Sequence, residues 1–109
     1  MTGLEAFGAL DLRAGRIVAA EPLAGARKPA YKLSVDLGPL GTKGSSAQIT
    51  DLYRPEDLVG RLVVCAVNLG ARRIAGFASE VLVLGLPDEA GRVVLLAVER
   101  DVPLGGRVY

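Results

Sequence analysis

The sequence contains no histidine and no tryptophan, and it has a single cysteine. Without histidine, the chain lacks the commonest general base and the commonest metal ligand of proteins. One cysteine leaves no partner for a disulfide, and the scattered carboxylates show no spacing typical of a metal site. These absences argue against an enzyme, a metal site and a bound cofactor, so we expect a binding protein.

Long apolar runs are also missing. Half of the residues are hydrophobic, yet no run approaches the roughly 18 residues of a membrane-spanning helix. Residues Met1–Gly15 lack the basic start and the apolar centre of a signal peptide. Cys65 lies within the apolar segment Val63–Val67, which predicts a buried, unreactive thiol. We therefore expect a cytoplasmic protein with no membrane insertion.

The net charge of +1 excludes a uniformly basic surface that would coat nucleic acid without selectivity. Any anion-binding site must therefore be local. The stretch Leu12–Lys32 has one acid, Glu21, against five cations, and Leu58–Ser79 has three arginines and no acid. An ordinary surface with both charge signs interspersed remains an alternative. The five cations of the first stretch are Arg13, Arg16, Arg27, Lys28 and Lys32.

Short strands separated by turn residues dominate the pattern. Lys32–Leu37 alternates between polar and apolar residues, as a half-buried strand does. Arg54–Gly60 predicts a short helix, because proline and two acids open it and glycine ends it. We expect a helical turn at residues 2–8 and a loop at Gly38–Gly44. Further strands are expected at Arg13–Ala20, Ser46–Thr50, Arg61–Asn68, Ser79–Leu84, Arg92–Val98 and Gly106–Tyr109.

These elements predict one all-β domain over residues 1–109. Five or six strands with a short helix between the third and the fourth suit a closed five-stranded Greek-key barrel of the OB type, although the spacing also allows a sandwich. Leu62–Val67, Val81–Leu84 and Val93–Val98 are apolar on both faces, whereas an isolated barrel shows one face to water. We therefore expect a second copy of the chain to cover these faces, as a homodimer.

The segment Val67–Leu84 is the most informative part of the sequence. It runs from an apolar strand into small residues carrying Arg72 and Arg73, and it returns through Ser79 and Glu80. In a tight turn both guanidinium groups would reach outward and could bind phosphate. The alternative is a surface pair with one arginine bridged to an acid such as Glu80.

Four further side chains complete the candidate site. Ser46 and Gln48 interrupt a strand with polar groups that suit a base edge or a peptide backbone. Asn68 could cap the turn or donate to a ligand. Phe77 could stack on a base, bind an apolar side chain or plug the barrel end. With only two phenylalanines and three tyrosines, recognition of a folded RNA by shape is more natural than extended base stacking.

Several segments resemble, in the same order, the tRNA-binding domain family, which includes stand-alone dimers and the C-terminal appendix of methionyl-tRNA synthetases. The combination of Ser45–Thr50 with Arg72–Phe77 and Ser79–Leu84 is most similar to the CsaA branch, bacterial chaperones of protein export. Synthetase members usually carry glycine and methionine where this chain has Val81 and Leu82, and CsaA members often carry prolines where it has Gly70 and Ala71. The segments are Asp11–Val18, Lys32–Gly38, Ser45–Thr50, Tyr53–Leu58 and Val67–Leu84.

This resemblance implies an OB-fold barrel, a homodimer built through the chain ends, and no catalysis. It also implies two activities: shape-selective binding of tRNA, and chaperoning of unfolded preproteins bound for the secretion machinery. The near-neutral charge favours the chaperone; a stand-alone tRNA-binding protein and a module that docks onto a synthetase are the alternatives. The binding face of the family maps onto Ser46, Gln48, Asn68, Arg72, Arg73, Ser79 and Glu80, to which we add Phe77.

Overall fold

The computed structural model describes all residues from Met1 to Tyr109. Strands dominate it, with two short α-helices and a 3-10 turn at Gly38–Leu40. The elements are α1 (Gly3–Ala9), β1 (Leu12–Pro22), β2 (Tyr31–Asp36), β3 (Thr42–Ala47), α2 (Pro55–Leu58), β4 (Leu62–Ala66), β5 (Arg72–Ile74), β6 (Phe77–Ser79), β7 (Leu82–Val83), β8 (Gly85–Pro87) and β9 (Val93–Leu95).

Five strands form one antiparallel sheet in the order β3-β2-β1-β4-β7, and β5-β6 and β8-β9 are separate two-stranded hairpins. The two edges of the large sheet approach each other where the chain leaves β6. The carbonyl oxygen of Gly44 in β3 accepts from the backbone N–H groups of Glu80 at 2.8 Å and Val81 at 3.2 Å. These bonds make a nearly closed barrel, which confirms the predicted architecture and rules out a sandwich.

The barrel interior holds one apolar core. The predicted alternation in the second strand is confirmed, because Tyr31, Leu33 and Val35 are buried while the residues between them are half-buried on the outer face. Leu58 of α2 is fully buried in the same core. Gly15 of β1 is also buried, and a Cβ added there would lie 2.6 Å from Cγ1 of Val35, so only glycine lets these strands approach so closely.

Most strand boundaries differ from the predicted ones. The expected loop Gly38–Gly44 instead contains the 3-10 turn and the first half of β3, which pairs with β2 through Asp36 and Thr42. Glycine-rich sequence concealed this pairing, since its backbone groups bond without apolar side chains to mark them. The last predicted strand, Gly106–Tyr109, is reduced to one bridge between Arg13 and Arg107.

Several apolar side chains lie on the outside of the barrel. No residue of α1 is buried, although Thr2 and Glu5 form a capping box at its start. Leu82, Leu86 and Val94 are also exposed, so the two-faced strands do leave apolar groups on the surface. Cys65, by contrast, is fully buried, and burial raises the pKa of its thiol to about 12, as the predicted unreactive thiol requires. No helix has the length and apolar character needed to span a bilayer.

Candidate nucleic-acid interface

The arginine hairpin consists of β5 and β6, joined by a turn at Ala75 and Gly76. Both turn residues have positive φ, 50° and 79°, as a two-residue hairpin turn requires. The prediction that Arg72 and Arg73 occupy the turn itself is wrong, because both lie on β5 before it. Neighbouring residues of a strand point to opposite faces, so the two guanidinium groups diverge instead of forming one clamp.

Arg73 faces a cavity of about 460 Å³, which we call the basic groove. It lies between the hairpin, β3 and the loop connecting β1 to β2. Ser46, Gln48 and Arg73 line it, and so do Arg27 and Lys28 of that loop. No carboxylate is among its lining residues, so the local potential is positive although the protein is nearly neutral.

Arg72 faces a second cavity of about 290 Å³, which we call the apolar pocket. Its wall combines Arg72 with Ser79 and Glu80 at the barrel closure. Ser46 and Ile74 line both cavities, so the two adjoin. Four of its nine lining residues are apolar: Leu69, Ile74, Val81 and Leu82.

Just over half of the cations of the chain lie close to a carboxylate. Of the thirteen lysines and arginines, seven lie within 4.0 Å of a carboxylate, which leaves six without an acidic partner. Four of those six line the basic groove or the apolar pocket: Arg27, Lys28, Arg72 and Arg73. The cations without an acidic partner are therefore concentrated in the linings of the two adjoining cavities.

The two arginines also differ in how they are held. A guanidinium N–H of Arg73 donates to the carbonyl oxygen of Gly76 at 2.7 Å, which orients the side chain along its own hairpin. Arg72 has no such contact. The alternative that one of them bridges to Glu80 is wrong, because the cation nearest to that carboxylate is Lys43 at 4.0 Å.

Asn68 lies outside both cavities. Its side-chain oxygen accepts from the backbone N–H of Asp11 at 3.0 Å, and its amide N–H donates to the carbonyl oxygen of Ala9 at 2.8 Å. The amide thus joins the end of α1 to the end of β4 instead of capping the turn that follows β4, and its role as a donor to a ligand stays a prediction. Asn68 also lines a neighbouring cavity of about 400 Å³ that includes Glu80.

Phe77 lies on the outer side of β3, where it covers Gly44. A Cβ on Gly44 would come within 2.8 Å of Cζ of Phe77, and the ammonium group of Lys32 lies 5.8 Å from the centre of the phenylalanine ring. Phe77 therefore does not plug the barrel end. It anchors the hairpin to β3, and its half-buried ring lines two further cavities, one of which shares Ala75 with the basic groove.

The two cavities thus unite six of the eight predicted site residues and leave out Asn68 and Phe77. The predicted site lacked Arg27 and Lys28. Their signal was present as part of the basic stretch Leu12–Lys32, but three of the five cations there lie within 4.0 Å of a carboxylate in the structure: Arg13 near Asp11, Arg16 near Asp101 and Lys32 near Glu21. No cluster of three possible metal-ligating side chains occurs.

The two chain ends meet on another part of the surface. A guanidinium N–H of Arg107 donates to the carbonyl oxygens of Gly8 at 3.0 Å and Leu10 at 3.2 Å. Asp11 accepts from Arg13 at 2.6 Å and lies 3.7 Å from Arg107. The hydrogen bond from Arg13 lowers the pKa of the Asp11 carboxyl below its usual value, so this contact is ionic at neutral pH.

The sequence is similar to a known protein family and to several known proteins. A family profile described as "Putative tRNA binding domain" matches residues 12–107. The methionine–tRNA ligase of Methanocaldococcus jannaschii is 39% identical over 99 residues, and that of Sorangium cellulosum is 41% identical over 106 residues. These alignments cover 91% and 97% of this chain but 15% of each ligase, so the chain spans about one seventh of these relatives.

Solved structures give a match over the whole chain. The chaperone CsaA of Bacillus anthracis has a TM-score of 0.92 and 50% identity, covering 100% of this chain and 99% of that one. The CsaA chaperone of Picrophilus torridus has a TM-score of 0.92 and 38% identity, covering 100% of both chains. The chain therefore belongs to the tRNA-binding domain family and has the OB-type barrel shared with the CsaA chaperones.

Proposed function

We propose that this protein is a CsaA-like tRNA-binding protein that acts in the cytoplasm by binding and not by catalysis. The observation that carries the proposal is that four cations without a carboxylate partner line two adjoining cavities. Arginine binds phosphate through two parallel N–H groups, and lysine binds it as a point charge. Family membership adds support, since the profile is described as a putative tRNA-binding domain.

The arrangement favours a folded RNA over an extended single strand. The cations lie on two separate elements, the loop between β1 and β2 and strand β5, so they can contact phosphates of different backbone segments. No aromatic side chain lines the basic groove or the apolar pocket. Stacking platforms typical of single-strand binders are therefore missing from this face.

The test is anisotropy binding of labelled bulk tRNA over a series of salt concentrations. Combined replacement of Arg27, Lys28 and Arg73 by alanine should weaken binding and flatten the slope of log K against log salt by about 0.7–0.9 for each phosphate that the variant no longer binds. Arg100→Ala is the matched control, because Arg100 also lacks an acidic partner but lies outside both cavities. Equal binding by the triple variant and the wild type would show that RNA, if bound, is bound elsewhere.

A homodimer built through the chain ends is part of the proposal. The entirely exposed helix α1 presents Leu4 and Phe7 to solvent, 83% and 43% exposed, next to the joined chain ends. Apolar groups in such an arrangement are typical of an interface. Sedimentation equilibrium should give a dimer for the wild type and a monomer for Leu4→Glu/Phe7→Glu. Leu52→Glu, at a leucine that is 40% exposed in the loop between β3 and α2, should remain dimeric.

Chaperoning of unfolded preproteins is the second candidate function. The apolar pocket favours it, because Leu69 and Leu82 at its rim are about half exposed and could receive apolar side chains. The matched CsaA structures are described as chaperones. Competition decides between the two functions: an unfolded preprotein peptide is titrated against bound tRNA at low and moderate salt. Peptide binding that persists in salt and displaces tRNA favours the chaperone, and salt-sensitive tRNA binding that resists the peptide favours the RNA-binding protein.

A further inference from the structure

Glu80 is the only carboxylate that lines the basic groove or the apolar pocket. An acid at this place opposes the binding of a polyanion, because like charges repel most strongly where solvent is partly excluded. Its backbone is fixed at the barrel closure by the 2.8 Å hydrogen bond to Gly44. The contact with Lys43 is long, 4.0 Å, and involves only Oε2. Oε1 has no hydrogen-bond partner within the protein, so the backbone of Glu80 is fixed while its carboxylate can still accept hydrogen bonds from a ligand.

The residues around this carboxylate indicate what kind of chemical group it could bind. Leu69, Ile74, Val81 and Leu82 provide apolar contact, and Arg72 lies on the same wall. At about 290 Å³ the pocket lies just below the usual range for small-ligand sites. It has room for one nucleobase, while the adjoining basic groove holds cations for the neighbouring phosphates.

Among the four RNA bases, guanine matches a carboxylate best. Its Watson–Crick edge presents N1–H and N2–H side by side, so both carboxylate oxygens can accept a hydrogen bond in a bidentate pair. Adenine and cytosine each place an acceptor nitrogen next to their amino group. Uracil has one N–H between two carbonyl oxygens, which would face the negative charge.

We propose that the apolar pocket receives an unpaired guanine base of the bound RNA, with its N1–H and N2–H donating to the carboxylate of Glu80. The phosphates beside that nucleotide lie on Arg72 and on the cations of the basic groove. This inference rests on the proposed RNA-binding function and names the base that the same site selects. A carboxylate in a cationic site then has a role, because it rejects bases that present acceptors.

The test uses RNA hairpin oligonucleotides that differ at one unpaired position of the loop, occupied by guanine, hypoxanthine, adenine or uracil. Hypoxanthine keeps N1–H and lacks the 2-amino group, so it isolates the second hydrogen bond. The wild type should bind the guanine oligonucleotide about tenfold more tightly than the adenine or uracil ones, with hypoxanthine between them. Glu80→Gln should abolish this preference, since the glutamine amide offers one acceptor and a donor that opposes the second N–H.

The matched control is Glu89→Gln, in the exposed turn between β8 and β9 and outside both cavities. It should keep the guanine preference, and thermal unfolding should show that both variants are folded. Equal affinity of the wild type for all four oligonucleotides overturns the inference, whereas salt-dependent tRNA binding in the same preparation leaves the proposed function standing. If the wild type binds no RNA at all, both the guanine inference and the proposed RNA-binding function are overturned. If Glu80→Gln instead weakens only a lysine-containing peptide, the carboxylate binds an ammonium group and the guanine assignment is wrong.

Discussion

The backbone N–H of Ser46 donates to the hydroxyl oxygen of Ser79 at 3.0 Å, and this bond ties the arginine hairpin to the edge of the barrel. Both residues also line the apolar pocket. Ser46 and Ser79, which the family resemblance assigns to ligand binding, therefore also hold in place the hairpin that carries Arg72 and Arg73. A variant at either serine must be tested for folding before its binding is interpreted.

Replacing Ser79 with alanine should lower stability by about 1–3 kcal/mol, because it leaves the half-buried Ser46 N–H without an acceptor. The free energy of unfolding in urea measures the loss. Ser34→Ala is the control, since Ser34 is half-buried on the outer face of β2 and its hydroxyl makes no hydrogen bond within the protein. Equal stability of Ser79→Ala and Ser34→Ala would show that the Ser46–Ser79 bond does not hold the hairpin.

Replacing Gly44 with alanine should loosen the hairpin more strongly. The new Cβ would lie 2.7 Å from the carbonyl oxygen of Ala78 and 2.8 Å from Phe77, so β6 must move away from β3. Such overpacking typically costs about 1–3 kcal/mol, which thermal unfolding would detect. Gly3→Ala is the comparison, because a Cβ at Gly3 meets nothing within 4 Å. Unchanged melting of Gly44→Ala would mean that the hairpin is not packed against β3 in solution.

The barrel itself could be predicted from the sequence. Apolar alternation marked β2, and the proline, acids and glycine of Arg54–Gly60 marked α2, because each pattern reports which side chains are buried or where a helix starts and ends. The first half of β3 could not be predicted in this way. Gly44 lies there because another chain segment crosses it, and such a tertiary contact leaves no local pattern.

The candidate site shows the same division. Six predicted residues do meet in two cavities, but the orientation of Arg72 and Arg73 depends on whether the turn contains the arginines or follows them at Ala75 and Gly76. Small residues on both sides of the arginines made either position plausible. Arg27 and Lys28 entered the site only through folding, because the loop that carries them lies next to the hairpin in space, although Lys28 and Arg72 are 44 positions apart in sequence.

Divergent arginines should act independently on RNA. If each contacts its own phosphate, Arg72→Ala and Arg73→Ala should each reduce the salt slope of tRNA binding by about 0.7–0.9. The double variant should then lose the sum of both effects, as separate sites do. Titrations of the four proteins at several salt concentrations measure these slopes. A double variant no weaker than either single variant would instead indicate one phosphate shared by both guanidinium groups.

The thiol of Cys65 should be unreactive in the folded protein. Its pKa is raised to about 12 by burial, and an unfolded cysteine has a pKa of about 8.5. Above pH 8.5 the unfolded chain therefore loses this proton first, and the free energy of unfolding should fall by at most about 1.4 kcal/mol per pH unit. Cys65→Ala should lack this part of the alkaline loss. Rapid reaction of the native protein with a disulfide reagent such as Ellman's would contradict the burial.

The contact of Asp11 with Arg13 and Arg107 should make the joined chain ends sensitive to acid. The folded pKa of Asp11 lies below its usual value of 3.8, so the carboxylate contributes stability above that value and loses it as pH falls through the folded pKa. Asp11→Asn should therefore be less stable than the wild type at pH 7, and the difference should shrink as the pH falls below about 4. Asp51→Asn is the control, because Asp51 is exposed and forms no ion pair.

If the proposed dimer uses the chain ends, Asp11→Asn should also raise the dimer dissociation constant at pH 7, and an unchanged constant would place the interface elsewhere.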